Sequence, residues 1–203
     1  MASFLPAYKL TAQAEGGYSN DPNDSGGETW KGIARNHHPN WEGWAIIDAH
    51  KEIIGVGVTF KATCHEDKDL EEEVLRFYEE EFWNKLKLSQ ISSQEIANEV
   101  YDTGVNQGAG MVGKQFQGAL NLLNNNQKHF CDIHVDGIIG GKTIAAFNDY
   151  MATASFSSRT VARNEKVFLK VLNGLQFVRY KEIVERNPKK EVFFHGWVNN
   201  RIE

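Results

Sequence analysis

The sequence predicts a mainly α protein with a small turn-rich or β-hairpin segment after its first helix. Three observations carry this. From residue 69 onward, apolar side chains recur at helical spacing. Residues 16–33 are instead rich in Gly, Asn, Asp and Ser, residues that favour turns. Helix-boundary residues then punctuate the remaining length, with Ser or Thr where helices open and Gly, Asn or Pro where they close.

Taken in order, residues 4–15 read as a helix. Pro6 is tolerated in a first turn, Phe4, Leu5, Tyr8 and Ala12 form a rough apolar stripe, and Gly16-Gly17 end it. Residues 53–60, IIGVGVTF, suit a short strand or an irregular buried segment. Leu70, Val74, Phe77, Tyr78, Glu81 and Phe82 then fall at helical spacing. Ser92 followed by Glu95 reads as a capping box opening a helix that carries Ile96, Val100 and Tyr101. Gly108 and Gly110 separate it from a helix carrying Met111, Phe116, Leu120 and Leu123, which Asn124 to Asn126 break. Asp136 to Gly141 form a turn, with Thr143 beginning or capping a helix to Met151. A long helix from about 160 to 186 ends ahead of Pro188. The seam between two halves falls near residues 88–93, so residues 1–92 and 93–203 are expected as two domains packed against each other. No Pro/Ser/Gly-rich linker separates them.

The 203 residues suffice for one large domain or two small ones sharing an interface, and 41% apolar with 24% charged is an ordinary globular composition. The formal net charge is −5, and the only basic cluster, Lys189-Lys190 near Arg186, is short. Nucleic acid is therefore not the expected partner. Two cysteines, Cys64 and Cys131, are too few for a disulfide framework and read as reduced, partly buried thiols. No stretch approaches the length of a membrane span. Met1 to Leu10 lacks the basic and long apolar regions of a signal peptide, so synthesis in the cytoplasm is expected. His37-His38 and His65-Glu66-Asp67 read as solvated loops without metal-ligand spacing, and no cofactor or metal is expected.

The chemistry concentrates in the segment from Glu15 to Ile33. Eight residues separate Glu15 from Asp24, and four separate Asp24 from Thr29. A helix end holds the first carboxylate, and a turn-rich hairpin can bring a second carboxylate and a hydroxyl back over it. Glycoside hydrolysis uses such a set. One carboxylic acid protonates the leaving oxygen, and a second group stabilises the oxocarbenium-like centre or orients water. Glu15 follows an apolar stripe, whereas Asp24 lies in a polar turn, and those settings push two carboxyl pKa values apart. Asp21 and Glu28 remain rival partners, because spacing alone does not select the carboxylate that faces Glu15.

The segment EGGYSNDPNDSGGETWKGI resembles the signature of family 108 of the glycoside hydrolases, whose members are lysozyme-like N-acetylmuramidases, some described as secretion activators and some as phage endolysins. The resemblance covers roughly residues 5–92. It implies a lysozyme-like fold and makes Glu15 the catalytic residue. The Glu–Asp–Thr order is also similar to that of phage-type lysozymes, which implies Asp24 and Thr29 as its partners. The Asp–Thr gap is one residue shorter here, and Ser25 stands where the family often has Pro.

In the second half, Asp136-Gly-Ile-Ile-Gly-Gly-Lys-Thr143 lacks the leading Gly of a phosphate-binding loop. Together with Asp102 to Gly108, Arg179-Tyr180 and Phe194 to Arg201, it resembles the predicted peptidoglycan-binding domain often appended to family 108, over roughly residues 93–203. Read singly, those residues are structural: a turn, and Gly196-Trp197 as an aromatic plug closing the core. The resemblance implies a muramidase acting on peptidoglycan glycan strands, at the cell wall after release or export, and a monomer is expected. An N-acetylglucosaminidase, or a non-catalytic wall-binding or secretion-accessory protein, is the alternative.

Overall fold

The computed structural model describes residues 1–12, 17–21, 26–153 and 160–202. Most of these are helical, as expected, and they group into two compact units. One is Tyr8–Glu81. The other joins Met1–Ala7 to Phe82–Glu203. The first helix, α1 (Phe4–Ala12), crosses the division.

In the unit Tyr8–Glu81, three two-residue strands form an antiparallel sheet: β1 (Tyr18–Ser19), β2 (Thr29–Trp30) and β3 (Ile33–Ala34), in the order β1-β2-β3. Three helices follow: α2 (Gly43–Ile54), α3 (Val58–Glu66) and α4 (Lys68–Tyr78). The short α4 forms because Asp67 caps it, its carboxylate accepting from the Leu70 N–H at 2.9 Å. Its Leu70, Val74 and Tyr78, four residues apart, make one buried stripe. Trp44 and Ile47 from α2, Phe60 and Cys64 from α3, and Trp30 and Ile33 from the sheet complete this core. Residues 53–60 form no strand, and only Phe60 among them is buried. Ile53-Ile54 end α2, Gly55 takes a φ of 67°, and Val58 opens α3, leaving Ile53 78% and Val58 89% exposed. Likewise His65-Glu66 belong to α3 rather than to a loop, and the His65 ring lies 4.9 Å from that of Trp30.

Besides the start of α1, the described residues of the other unit form α5 (Gln94–Gln107), α6 (Ala109–Leu123), α7 (Gly141–Ala152), α8 (Val161–Arg186) and α9 (Glu191–Arg201). Helix α5 begins one residue later than the Ser92 capping box predicts. The cap is Ser93, whose hydroxyl accepts from Ile96 N–H at 3.1 Å and pairs with Glu165. Ser92 is exposed, and Ser93 is the buried one of the pair. Phe116, Phe147, Tyr150 and Phe168 form an aromatic centre with ring centroids 5.0–5.7 Å apart. The start of α1 seals another edge, where Phe4 packs edge-on against Trp83 and Tyr101.

The turn from Asp136 to Gly141 is organised by a buried glutamine of α6. Gln117 donates to the Asp136 carboxylate at 2.8 Å and to the Ile138 carbonyl at 3.1 Å, and its amide oxygen accepts from Gly137 N–H at 2.8 Å. Gly113 and Gly137 let the two backbones touch, because a Cβ at Gly113 would collide with the Gly137 carbonyl. Thr143 lies inside α7, which Gly140 caps, so it does not begin or cap that helix. No residue of α9 is fully buried. Trp197 is therefore half-buried rather than a core plug, and it stacks on Tyr180 with centroids 5.2 Å apart. Arg201 ties the helix to Asp102 at 2.7 Å. Both cysteines are free thiols, Cys64 buried and Cys131 exposed rather than partly buried.

Candidate active site

Of the three residues that the motif singles out, Thr29 is described, whereas Glu15 and Asp24 lie outside the described residues. The local frame is a tight hairpin. Trp30 and Ile33 pair across the two residues Lys31 and Gly32, whose φ angles are 43° and 82°. Two successive positive φ values define the turn whose twist matches that of its strands, and Gly32 adopts its value without strain. The Tyr78 hydroxyl donates to the Lys31 carbonyl at 2.7 Å, and Lys31 forms an ion pair with Glu71. Helix α4 thus anchors the turn.

Side chains directly opposite in an antiparallel pair share a face. Tyr18, Trp30 and Ile33 form one row, and Ser19, Thr29 and Ala34 the other. The first row is the core face: Trp30 is 1% and Ile33 0% exposed, and Tyr18 meets Phe60 edge-on at 4.9 Å. Thr29 therefore stands on the opposite face, half-buried. Its hydroxyl donates to the Gly27 carbonyl at 3.2 Å. With its only proton committed, that oxygen has just lone pairs to offer, so a neighbouring water would have to donate to it.

Glu28, a rival partner on spacing grounds, is held in a four-membered ionic ring. Its carboxylate meets Arg35 Nε at 2.7 Å and forms an ion pair with Lys51. Asp48 receives both Arg35 terminal nitrogens, at 2.7 and 3.0 Å, and Lys51 at 3.0 Å. The Arg35 guanidinium, bonded to the Asp48 carboxylate, holds it below the usual range, with Lys51 assisting. Burial alone would lower the Lys51 ammonium, but Glu28 and Asp48 raise it. Burial lifts the Tyr18 phenol, and the neighbouring Glu28 carboxylate lifts it further. Glu28 thus reads as a clamp between the hairpin and α2. Arg35 and Lys51 were missed in the sequence because nothing local marks them; only the fold brings them to Glu28. The other rival, Asp21, is exposed.

Comparison with known proteins decides the family. Residues 8–108 match glycosyl hydrolase 108, and residues 111–202 match the predicted peptidoglycan domain. The chain belongs to the glycosyl hydrolase 108 family. The two matches together make it a glycoside hydrolase that acts on peptidoglycan. The solved structure of SagA from Brucella abortus is similar, with a TM-score of 0.60 at 20% identity, covering 97% of this chain and 87% of that one. At that identity the likeness concerns the fold, which is mainly α and lysozyme-like, as the sequence predicts. No protein of curated function matches the sequence. Among the described residues, no helix is long and apolar enough to cross a membrane, and no three His, Cys, Asp or Glu side chains are grouped to hold a metal.

Proposed function

We propose that the chain hydrolyses the β-1,4 bond between N-acetylmuramic acid and N-acetylglucosamine. Glu15 is the general acid, protonating the glycosidic oxygen as the bond to the leaving sugar breaks. Asp24 stays ionised and stabilises the oxocarbenium-like centre or orients the attacking water, whose proton passes to the Asp24 or the Glu15 carboxylate as the new C–O bond forms. Thr29 presents its lone pairs to that water and turns one of its protons away from the reacting carbon. The observation that carries this reading is the EGGY segment itself, which opens on Glu15 inside the family match at residues 8–108. The orientation of Thr29, on the non-core face with its proton committed to Gly27, supports its part. The substrate lies in the cell wall, so activity requires release or export of the chain.

Two measurements test the reading. Purified sacculi should clear in a turbidity assay, and mass spectrometry of the digest should find muramic acid at the new reducing ends. Glucosamine at those ends would make the enzyme a glucosaminidase. Glu15→Gln keeps the shape but has no proton to deliver, so clearing should slow by at least ~10²-fold while the circular dichroism spectrum is unchanged. A Glu15→Gln variant that retains most of the lysis would remove Glu15 from the mechanism.

A further inference from the structure

Helix α3 meets the start of the hairpin at two points. Phe60 packs edge-on against Tyr18, with ring centroids 4.9 Å apart. Further along, in the last turn of the helix, the His65 imidazole lies against Gly17, the second glycine of the EGGY segment. The contact is close. A Cβ at Gly17 would stand 2.8 Å from His65 Nε2 and 3.4 Å from Cε1. Apart from the chain neighbours of Gly17, the three atoms nearest that point all belong to the His65 ring. The same ring lies 4.9 Å from that of the buried Trp30, tilted by 50°.

These contacts clip β1 to β2. Gly17 leads into β1, and its carbonyl accepts from Lys31 N–H at 3.3 Å. Tyr18 then pairs with Trp30, and Ser19 with Thr29. His65 touches both sides of this ladder, Gly17 ahead of the first strand and Trp30 in the second. Strands this short supply few bonds of their own, and an isolated pair is marginal in water. The imidazole is carried on a fixed element. Its neighbour Cys64 is buried, and Asp67 both ends α3 and caps α4, accepting from Leu70 N–H at 2.9 Å.

We propose that His65 is a positioning residue for hydrolysis: its ring fills the space that a side chain at Gly17 would take and holds β1 against β2, the strand that carries Thr29. This rests on the reading that hydrolysis takes place at the hairpin. The role is one of shape. A flat ring wedged against Gly17 and Trp30 fixes the backbone where EGGY enters the sheet. Its loss frees that backbone, while Tyr18, Trp30 and Ile33 still pack on the core. Misplacing a reacting group by about 1 Å costs up to ~10²-fold in rate, and the cost falls on kcat when ground-state binding is untouched. Gly17 and His65 therefore act as one unit. Alanine at Gly17 pushes the ring out, and alanine at His65 makes room for that methyl group.

The test is a double-mutant cycle with the full chain acting on sacculi. His65→Ala and Gly17→Ala should each lower kcat about tenfold, with KM within about twofold of the parent. The two changes together should be no slower than His65→Ala alone. Losses that multiply would show that the two residues act separately and would overturn the proposal. His65→Phe keeps a flat ring over Trp30, so kcat should return to within about threefold of the parent. If His65→Phe is as slow as His65→Ala, the imidazole nitrogens matter rather than the ring, and the positioning role fails. A further readout needs no catalysis. Hydrogen exchange at the Lys31 amide, which donates to Gly17, should be about tenfold faster in His65→Ala. The circular dichroism spectrum should not change, because His65 is exposed. An unchanged exchange rate, or a faster one with kcat intact, would refute the proposal. The acid assignment is tested separately. A Glu15→Gln variant that still lyses sacculi, beside His65 variants that behave as expected, would refute Glu15 and leave His65 in its role.

Discussion

Gln117→Leu isolates what holds the Asp136–Gly141 turn. Leucine has nearly the volume of glutamine, so the change removes hydrogen bonds and leaves little cavity. Gln117 is 2% exposed, and its amide oxygen accepts from Gly137 N–H. Its nitrogen serves the Ile138 carbonyl and the Asp136 carboxylate. A buried donor left without a partner costs about 1–3 kcal/mol. The Asp136 side chain is 43% exposed and regains water. Ile138 is 71% exposed, so its carbonyl also regains water, and the expected loss is about 1–3 kcal/mol, mostly from Gly137 N–H. For a chain of this length, each kcal/mol lowers Tm by roughly 2–4 °C. Urea unfolding followed by circular dichroism gives the magnitude, and hydrogen exchange at the Gly137 amide gives the location. A loss under ~1 kcal/mol, with that amide still protected, would show that the turn is held by something other than Gln117.

Asp24→Asn should lower kcat more than it raises KM, because the lost stabilisation belongs to the transition state, and Thr29→Val should do less. Steady-state kinetics on sacculi decide this; if Asp21→Asn proves the crippling change, Asp24 is the wrong carboxylate. Asp48 has a depressed pKa in the folded protein, through Arg35 first and Lys51 second. Its contribution to stability is therefore fully present above the unfolded Asp value near ~4 and is lost as pH falls through the lower folded value. Asp48→Asn should then show a smaller drop in Tm between about pH 6 and about pH 3 than the parent, and an equal drop would remove the ionic ring from the acid response. Expressed alone, residues 1–92 keep Trp83, Leu86, Leu88 and Ile91, all at most 2% exposed in the whole chain, but lose Tyr101 and the rest of their unit. That fragment should be poorly soluble or inactive, and full activity from it would show that this core is dispensable.

The parts of the fold legible in the sequence are those where one signal dominates. Leu70, Val74 and Tyr78 repeat every four residues, and α4 follows from them. The long α8 is readable from its ends, Thr160 before it and Pro188 beyond it. The misread parts are those where local preference and tertiary burial disagree. IIGVGVTF is rich in β-branched residues, so it looks like a strand, yet Gly55 turns the chain and its apolar side chains from Ile53 to Val58 stay in solvent. Helices α2 and α3 escape sequence reading, since each buries only a few scattered positions. With Ser92 and Ser93 adjacent, capping chemistry alone does not choose between them; burial chooses Ser93. In the site, spacing treats Glu28 as a possible partner of Glu15, because Arg35, Lys51 and Asp48 become its neighbours only when α2 folds back on the hairpin.

That last failure says how a site on such a small sheet is positioned at all. Three strands of two residues supply too few ladder bonds to fix a hairpin by themselves, since even a longer isolated hairpin is marginal in water. The placement of Thr29 must therefore come from side chains reaching in from helices. Tyr78 and Glu71 of α4 hold Lys31 at the turn, Phe60 and His65 of α3 meet Tyr18 and Trp30 from below, and Lys51 and Asp48 of α2 close on Glu28 and Arg35. Each anchor sits at least 13 residues from its partner in sequence, the closest being Arg35 with Asp48. The strands within the motif are thus held in place by residues outside it. The hairpin on its own would keep the signature and lose the geometry.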